Sequence, residues 1–113
     1  MELSVERHPR GILVRVQGDI DTLTAPELQS CLNNSLNEGT ELFVIDLEEV
    51  RYISSMGLRV FLSHLKRVKA GNGTMVMASP SKLVSEVFRM SGFSSYFDMV
   101  DSTEEAMARL QGS

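Results

Sequence analysis

Tryptophan is absent, cysteine occurs once, proline three times, and five phenylalanines and two tyrosines are the only aromatic carbocycles among 113 residues. With Cys31 alone no internal disulfide can form, so the fold must rest on its core rather than on cross-links. Cys31 lies beside Leu28 and Leu32 at helical spacing, which predicts a buried structural thiol rather than a reactive one. Basic residues are also scarce. Eleven Lys and Arg stand against fifteen Asp and Glu, a formal charge of −4, and no stretch gathers enough cations to neutralise a row of phosphates, which argues against nucleic acid as a ligand. No apolar run approaches the ~20 residues that span a bilayer, and the opening Met1–Arg7 has no basic segment leading into an apolar one. The expectation is a reducing, cytoplasmic location with no membrane association. His8 and His64 are isolated from other ligand-type residues, read as ordinary surface or boundary positions, and suggest no metal. No glycine-rich phosphate loop follows a strand, so nucleotide hydrolysis lacks its cradle, and no cofactor is implied.

What is present is a globular composition: 42% apolar and 23% charged residues, in a chain the length of one domain. A single domain over residues 1–113 is expected, without repeats or linkers. Leu3 and Val5 alternate with polar neighbours, and after Pro9-Arg10-Gly11 the run Ile12–Gln17 alternates again, predicting a β-hairpin with one wet side. Thr24 and Glu27 have capping-box spacing around Pro26, so a helix over Ala25–Asn37 follows, closed by Gly39. Leu42–Leu47 is apolar on both alternating faces, as in a central strand. Leu58, Phe61, Leu62, Leu65 and Val68 form one stripe of a second helix that starts after Ser54-Ser55-Met56-Gly57. Gly71-Asn72-Gly73 ends it. Thr74–Ala78 reads as a buried strand in which Met75 and Met77 are core filler, and Ser79-Pro80 as the opening of a third helix carrying Leu83, Val84, Val87 and Phe88. Gly92 stops that helix, Phe97–Val100 is a short strand, and Ser102–Glu105 caps a closing helix that frays after Arg109. The order β-β-α-β-α-β-α-β-α predicts an α/β fold on a mainly parallel sheet.

The Ser54-Ser55-Met56-Gly57 turn joins a buried strand to a helix start, where backbone N–H groups lack intrahelical partners. Two readings fit. Both serines can serve as helix caps, or one can cap while the other is exposed and accepts a phosphoryl group from a kinase. Asp19 and Asp21 belong to the loop expected beside that turn. Gly-Asp-Ile-Asp-Thr superficially resembles the nucleophile motif of haloacid-dehalogenase-type phosphatases, but no later acidic pair completes a metal site and the chain leaves no room for a lid. A phosphoaspartate receiver would need an acidic pair after its first strand, an acceptor such as Asp46 and a late lysine; none follows Lys82, and the opening hairpin breaks strict β-α alternation.

Three segments together resemble the STAS family, and within it the anti-sigma factor antagonists: Val16–Asp21 with Ala25–Leu28; Val44–Leu47 through Val50, Tyr52, Ile53, Ser54, Ser55, Gly57 and Leu58; and Gly73–Val76 with Ser79-Pro80, Phe88, Gly92-Phe93 and Glu104–Ala106. The resemblance implies a domain that binds an anti-sigma factor serine kinase and frees a sigma factor, with no catalytic residue of its own. It implies Ser55 as phosphoacceptor, with Ser54 the secondary candidate, and a docking surface of Asp19, Asp21, Thr22, Ser54, Ser55, Met56, Gly57 and Leu58. Phosphorylation would end binding by charge repulsion and loss of fit. A serine phosphatase would reset it, and the chain would be a monomer or weak dimer. Two positions depart from the family pattern: Ser54 stands where aspartate is frequent, and Met56 where a small residue is usual. The alternative implied by the same family is a scaffold subunit of a signalling or lipid-transport complex that uses this surface without phosphorylation.

Overall fold

The computed structural model describes residues 1–111. Its elements are β1 (Glu2–His8), β2 (Gly11–Gln17), α1 (Ala25–Asn37), β3 (Leu42–Glu49), α2 (Ser55–Ala70), β4 (Thr74–Ala78), α3 (Lys82–Met90), a 3-10 turn (Phe93–Ser95), β5 (Asp98–Val100) and α4 (Thr103–Leu110). The strands form one sheet in chain order, β1-β2-β3-β4-β5. β1 is antiparallel to β2, and every later pairing is parallel. Because each crossover advances one strand in the same direction, right-handed connection places α1, α2 and α3 on a common face. The packing agrees. Ile12, Val14 and Val16 of β2, Phe43, Ile45 and Leu47 of β3, and Met75 and Met77 of β4 share a cluster with Leu28, Leu32, Leu58, Phe61, Leu65, Val84 and Phe88. On the opposite face Leu13, Val44, Val76, Ala78 and Val100 pack against Ala106 and Leu110 of α4.

The hairpin keeps the expected wet side at Glu2, Ser4, Glu6, Arg15 and Gln17, with one exception. Leu13 is fully buried, because α4 returns across the face that alternation alone leaves to solvent. Leu110 is fully buried too, and its carbonyl accepts from Arg10 N–H at 3.2 Å, so α4 is pinned one residue past the predicted fraying point. The rest of that predicted fray, residues 112–113, lies outside the described residues. The third helix begins at Lys82 rather than at Ser79-Pro80: Ser79 adopts φ +54°, and Ser81 is the cap, its Oγ accepting from Val84 N–H at 3.2 Å. On α3 only Val84 and Phe88 are buried, and Leu83 is exposed. Gly92, at φ +80°, occupies the left-handed region that lets the chain leave α3. Cys31 is half-buried rather than buried, packed against the core from α1, with burial and the Glu27 carboxylate raising its thiol pKa.

His64 is the largest departure from expectation. Far from the surface, it retains 3% of its exposure. Its ring meets the Phe43 ring edge-on at 4.5 Å, and neither ring nitrogen has a hydrogen-bond partner among the described residues. Burial, reinforced by the Arg67 guanidinium, lowers its pKa to about 4. On α2 it falls between Phe61 and Leu65, on the stripe that faces the sheet. His8 is a boundary residue as expected, its Nε2 2.7 Å from Glu6 Oε1.

Candidate functional site

The β–α connections gather at one edge of the sheet, and two of them are stitched together. Ile20 and Ile53 form an isolated parallel bridge. Ile20 N–H donates to the Tyr52 carbonyl at 2.9 Å, and Ser54 N–H donates to the Ile20 carbonyl at 2.8 Å. The loop after β2 is thereby fixed against the residues that lead into α2. Gly57 makes this approach possible, since a Cβ there would lie 2.6 Å from Ile20 Cγ2 and 2.9 Å from Ile53 Cγ1. Any side chain at that position would push the loop from the helix.

At the start of α2 the two serines divide. Ser54 is extended, and its Oγ accepts from Gly57 N–H at 3.1 Å, satisfying one of the free donors of the first turn. Ser55 is the first helical residue, is exposed, and its hydroxyl has no hydrogen-bond partner among the described residues. The reason is the helical period: Leu58, Phe61, Leu65 and Val68 fill the inward stripe, and Ser55 shares the solvent face with Arg59 and Lys66. Met56 is also exposed, whereas Gly57 and Leu58 are buried.

Asp19 and Thr22 are exposed in the adjoining loop, but Asp21 is committed to holding it. Its Oδ1 accepts from Leu23 N–H at 2.9 Å and from Thr24 N–H at 3.0 Å, and these bonds favour the carboxylate, lowering its pKa. Thr24 does not cap α1 as its spacing suggested. It lies in the αR region with no side-chain cap bond; its Oγ1 instead accepts from Asp21 N–H at 2.9 Å and donates to the Asp19 carbonyl at 3.0 Å. Asp21 instead closes an Asx turn just ahead of α1.

Asp46, the one residue that could mimic a receiver's acceptor, is buried on the α4 side. Its Oδ1 accepts from Glu48 N–H at 3.0 Å, and its Oδ2 lies 3.4 Å from Arg15 Nε, so it is a satisfied structural carboxylate. Among the described residues no group of three or more His, Cys, Asp and Glu is placed to hold a metal ion, and no helix is long and apolar enough to cross a membrane. Sequence reasoning missed the apolar side chains of this edge: Leu23, Tyr52 and Leu83 are exposed. For Leu23 and Tyr52 the available signal was an apolar residue inside an otherwise polar connection.

Fold and site together define a class: a single α/β domain that presents, at a helix start braced by an acidic loop, an exposed serine whose hydroxyl has no partner among the described residues. The chain belongs to the STAS domain family, whose model matches residues 2–106, and is of its anti-sigma factor antagonist type. It is 33% identical over 108 residues to BtrV of Bordetella bronchiseptica, a protein named as an anti-sigma factor antagonist, covering 96% of this chain and 93% of that one. It is 29% identical over 91 residues to the anti-sigma-B factor antagonist of Staphylococcus aureus, covering 80% and 84% of the two chains. Among solved structures, the unphosphorylated form of the anti-sigma factor antagonist SpoIIAA superposes with a TM-score of 0.79 at 21% identity, over 99% of this chain and all of the other. An anti-sigma factor antagonist from Mycobacterium paratuberculosis superposes at 0.87 with 22% identity, over 96% and 92% of the two chains. These structures establish the likeness of fold.

Proposed function

We propose that this chain acts in the cytoplasm by docking a serine-kinase-type anti-sigma factor through Ser54–Leu58 and the Asp19–Thr22 loop, releasing a sigma factor, and that phosphorylation of Ser55 ends the docking. The observation that carries the reading is the division of labour at the turn: Ser54 supplies the cap, which leaves Ser55 exposed with a free hydroxyl. The names of the relatives supply the partner class, and a Bacillus relative, SpoIIAA, has been solved in a phosphorylated form.

In the transfer, Ser55 Oγ attacks the γ-phosphorus of ATP bound to the kinase; the new O–P bond replaces the bridge to the β-phosphate, ADP leaves, and the hydroxyl proton passes to a base of the kinase. The phosphate adds about −1.5 to −2 charge beside the positive end of the helix dipole, where the fold accommodates it. A serine phosphatase would hydrolyse the ester and restore the docking form.

Incubation of the protein with ATP and each purified serine-kinase anti-sigma factor of its source genome, followed by mass analysis, tests the reading. One phosphate on Ser55 is expected, lost in Ser55→Ala and retained in Ser54→Ala. A chain that binds one of these kinases and stays unmodified would be a scaffold instead.

A further inference from the structure

We propose that Leu23, Tyr52 and Met56 form an apolar collar beside Ser55 that supplies most of the affinity for the anti-sigma factor, and that a phosphoryl group on Ser55 ends docking because it would be stranded without water inside that collar. The inference rests on the docking reading above and supplies its chemistry.

Exposed large apolar side chains are few on the described surface, and they are unevenly placed. Leu23 is 90% exposed, Tyr52 49% and Met56 42%. All three belong to the stitched loops or to the first turn of α2, within the segment held by the Ile20–Tyr52 and Ser54–Ile20 hydrogen bonds. A fourth, Leu83 at 59%, sits on the first turn of α3, in the next connection along the same sheet edge. Val5, Met90 and Tyr96 are the others, and they lie on β1, at the end of α3 and after the 3-10 turn. Nothing in the fold requires a leucine at position 23, where the backbone of the loop is set by Asp21 and Thr24. A nearly fully exposed leucine, a half-exposed tyrosine and a flexible thioether on a braced backbone have the composition of an interface centre, where a few apolar and aromatic anchors carry the binding energy.

The surroundings state the partner's chemistry. Residues 18–24 and 48–54 carry Asp19, Asp21, Glu48 and Glu49 against one cation, Arg51, and Arg59 lies a turn beyond Ser55 on α2. The matching surface on the anti-sigma factor is therefore an apolar patch with cationic flanks. A partner shaped for this acidic border already accommodates negative charge at its rim, so added charge by itself does not discriminate against the modified form. What discriminates is position. Closing two apolar patches over a phosphate dianion removes its hydration and leaves one cation of this chain, Arg59 a turn along α2, to offset a double charge, a cost far above that of burying a neutral hydroxyl. Salt screens repulsion between separated charges but does not repay lost hydration, which gives the inference its own signature.

The test measures binding of the unaltered chain and its variants to the purified serine-kinase anti-sigma factors of the source genome, with ADP in place of ATP so that Ser55 stays unmodified. Leu23→Ser and Tyr52→Ser should each weaken binding by about tenfold or more, while Met90→Ser and Tyr96→Ser, also exposed but at the end of α3 and after the 3-10 turn, should leave it unchanged. Circular dichroism establishes that each variant is folded. Ser55→Glu should weaken binding by about tenfold, and the ratio of its Kd to that of the unaltered chain should stay within about threefold between 50 and 500 mM salt. Collar variants that bind like the unaltered chain, remote variants that weaken equally, or a Ser55→Glu ratio that shrinks by more than about threefold in high salt would each overturn the inference. The switch reading would survive any of those results if mass analysis finds phosphate on Ser55. Failure of the unaltered chain to bind any of these kinases would overturn both.

Discussion

Ser54 and Ser55 are chemically identical neighbours with opposite duties, and the backbone decides which is which. Ser54 is extended and turns its Oγ back onto Gly57 N–H; Ser55, one residue later, has entered the helix and projects from its wet face. Removing the cap exposes an unpaired donor, so Ser54→Ala should cost about 1 kcal/mol, or about 4 °C in melting temperature for a domain of this size. Ser55→Asp should leave the melting temperature within about 2 °C of the unaltered protein while weakening partner binding, because an acid in the first turn suits the helix dipole. Differential scanning calorimetry separates the two positions, and a large loss with Ser55→Asp would mean that its hydroxyl holds the fold together. Gly57 is the third residue that matters here, since its missing Cβ is the space Ile20 and Ile53 occupy.

Elements that bury one continuous stripe were legible in the sequence, and elements positioned by loops were not. α1 occupies the residues its spacing predicted, because Leu28 and Leu32 had to face the sheet. Its start was read through the wrong side chain, since a capping box and an Asx turn offer the same backbone similar hydrogen bonds from different residues. For α3, proline marked the connection rather than the helix, which starts at Lys82 with Ser81 as its cap, and Leu83 is exposed on its first turn. The serine turn was visible in the sequence as a candidate, but the collar depended on which apolar side chains remain uncovered, and coverage is a tertiary property. The loop gives its own prediction at this scale. Asp21→Ala removes the acceptor of the Leu23 and Thr24 amides, so hydrogen exchange at both should accelerate while amides in β3 and β4 stay protected. Unchanged exchange at residues 23 and 24 would show that Thr24 and the Ile20 bridge brace the loop unaided.

The apolar pattern of β3 on both faces implied a second covering layer, and α4 supplies it over Val44, but neither its reach to Leu13 nor the burial of His64 was legible in local pattern. His64 looked like a boundary residue because histidine is a weak signal of either environment; its place in the i, i+3, i+4 series with Phe61, Leu65 and Val68 was the better guide. The imidazole sits against Phe43 with both nitrogens unpartnered, so the folded state admits the neutral ring and resists the charged one. Folded, it titrates at about 4, against an ordinary value of 6.5. Between these two values the unfolded chain binds the extra proton, so the contribution of His64 to stability is intact above pH 6.5, falls as the pH drops through that window, and levels off below 4. The loss amounts to about 3 kcal/mol across the window. His64→Leu removes the buried unsatisfied nitrogens along with the titration. At pH 7 it should match or exceed the unaltered protein in urea melts, by about 1 kcal/mol at most. The advantage should widen steadily from pH 6.5 down to 4, as the difference between the two proteins cancels the carboxylates that both titrate there. Parallel stability curves over that range would place a charged or solvated histidine at position 64, and with it a water path into the α1–α2–β3 interface.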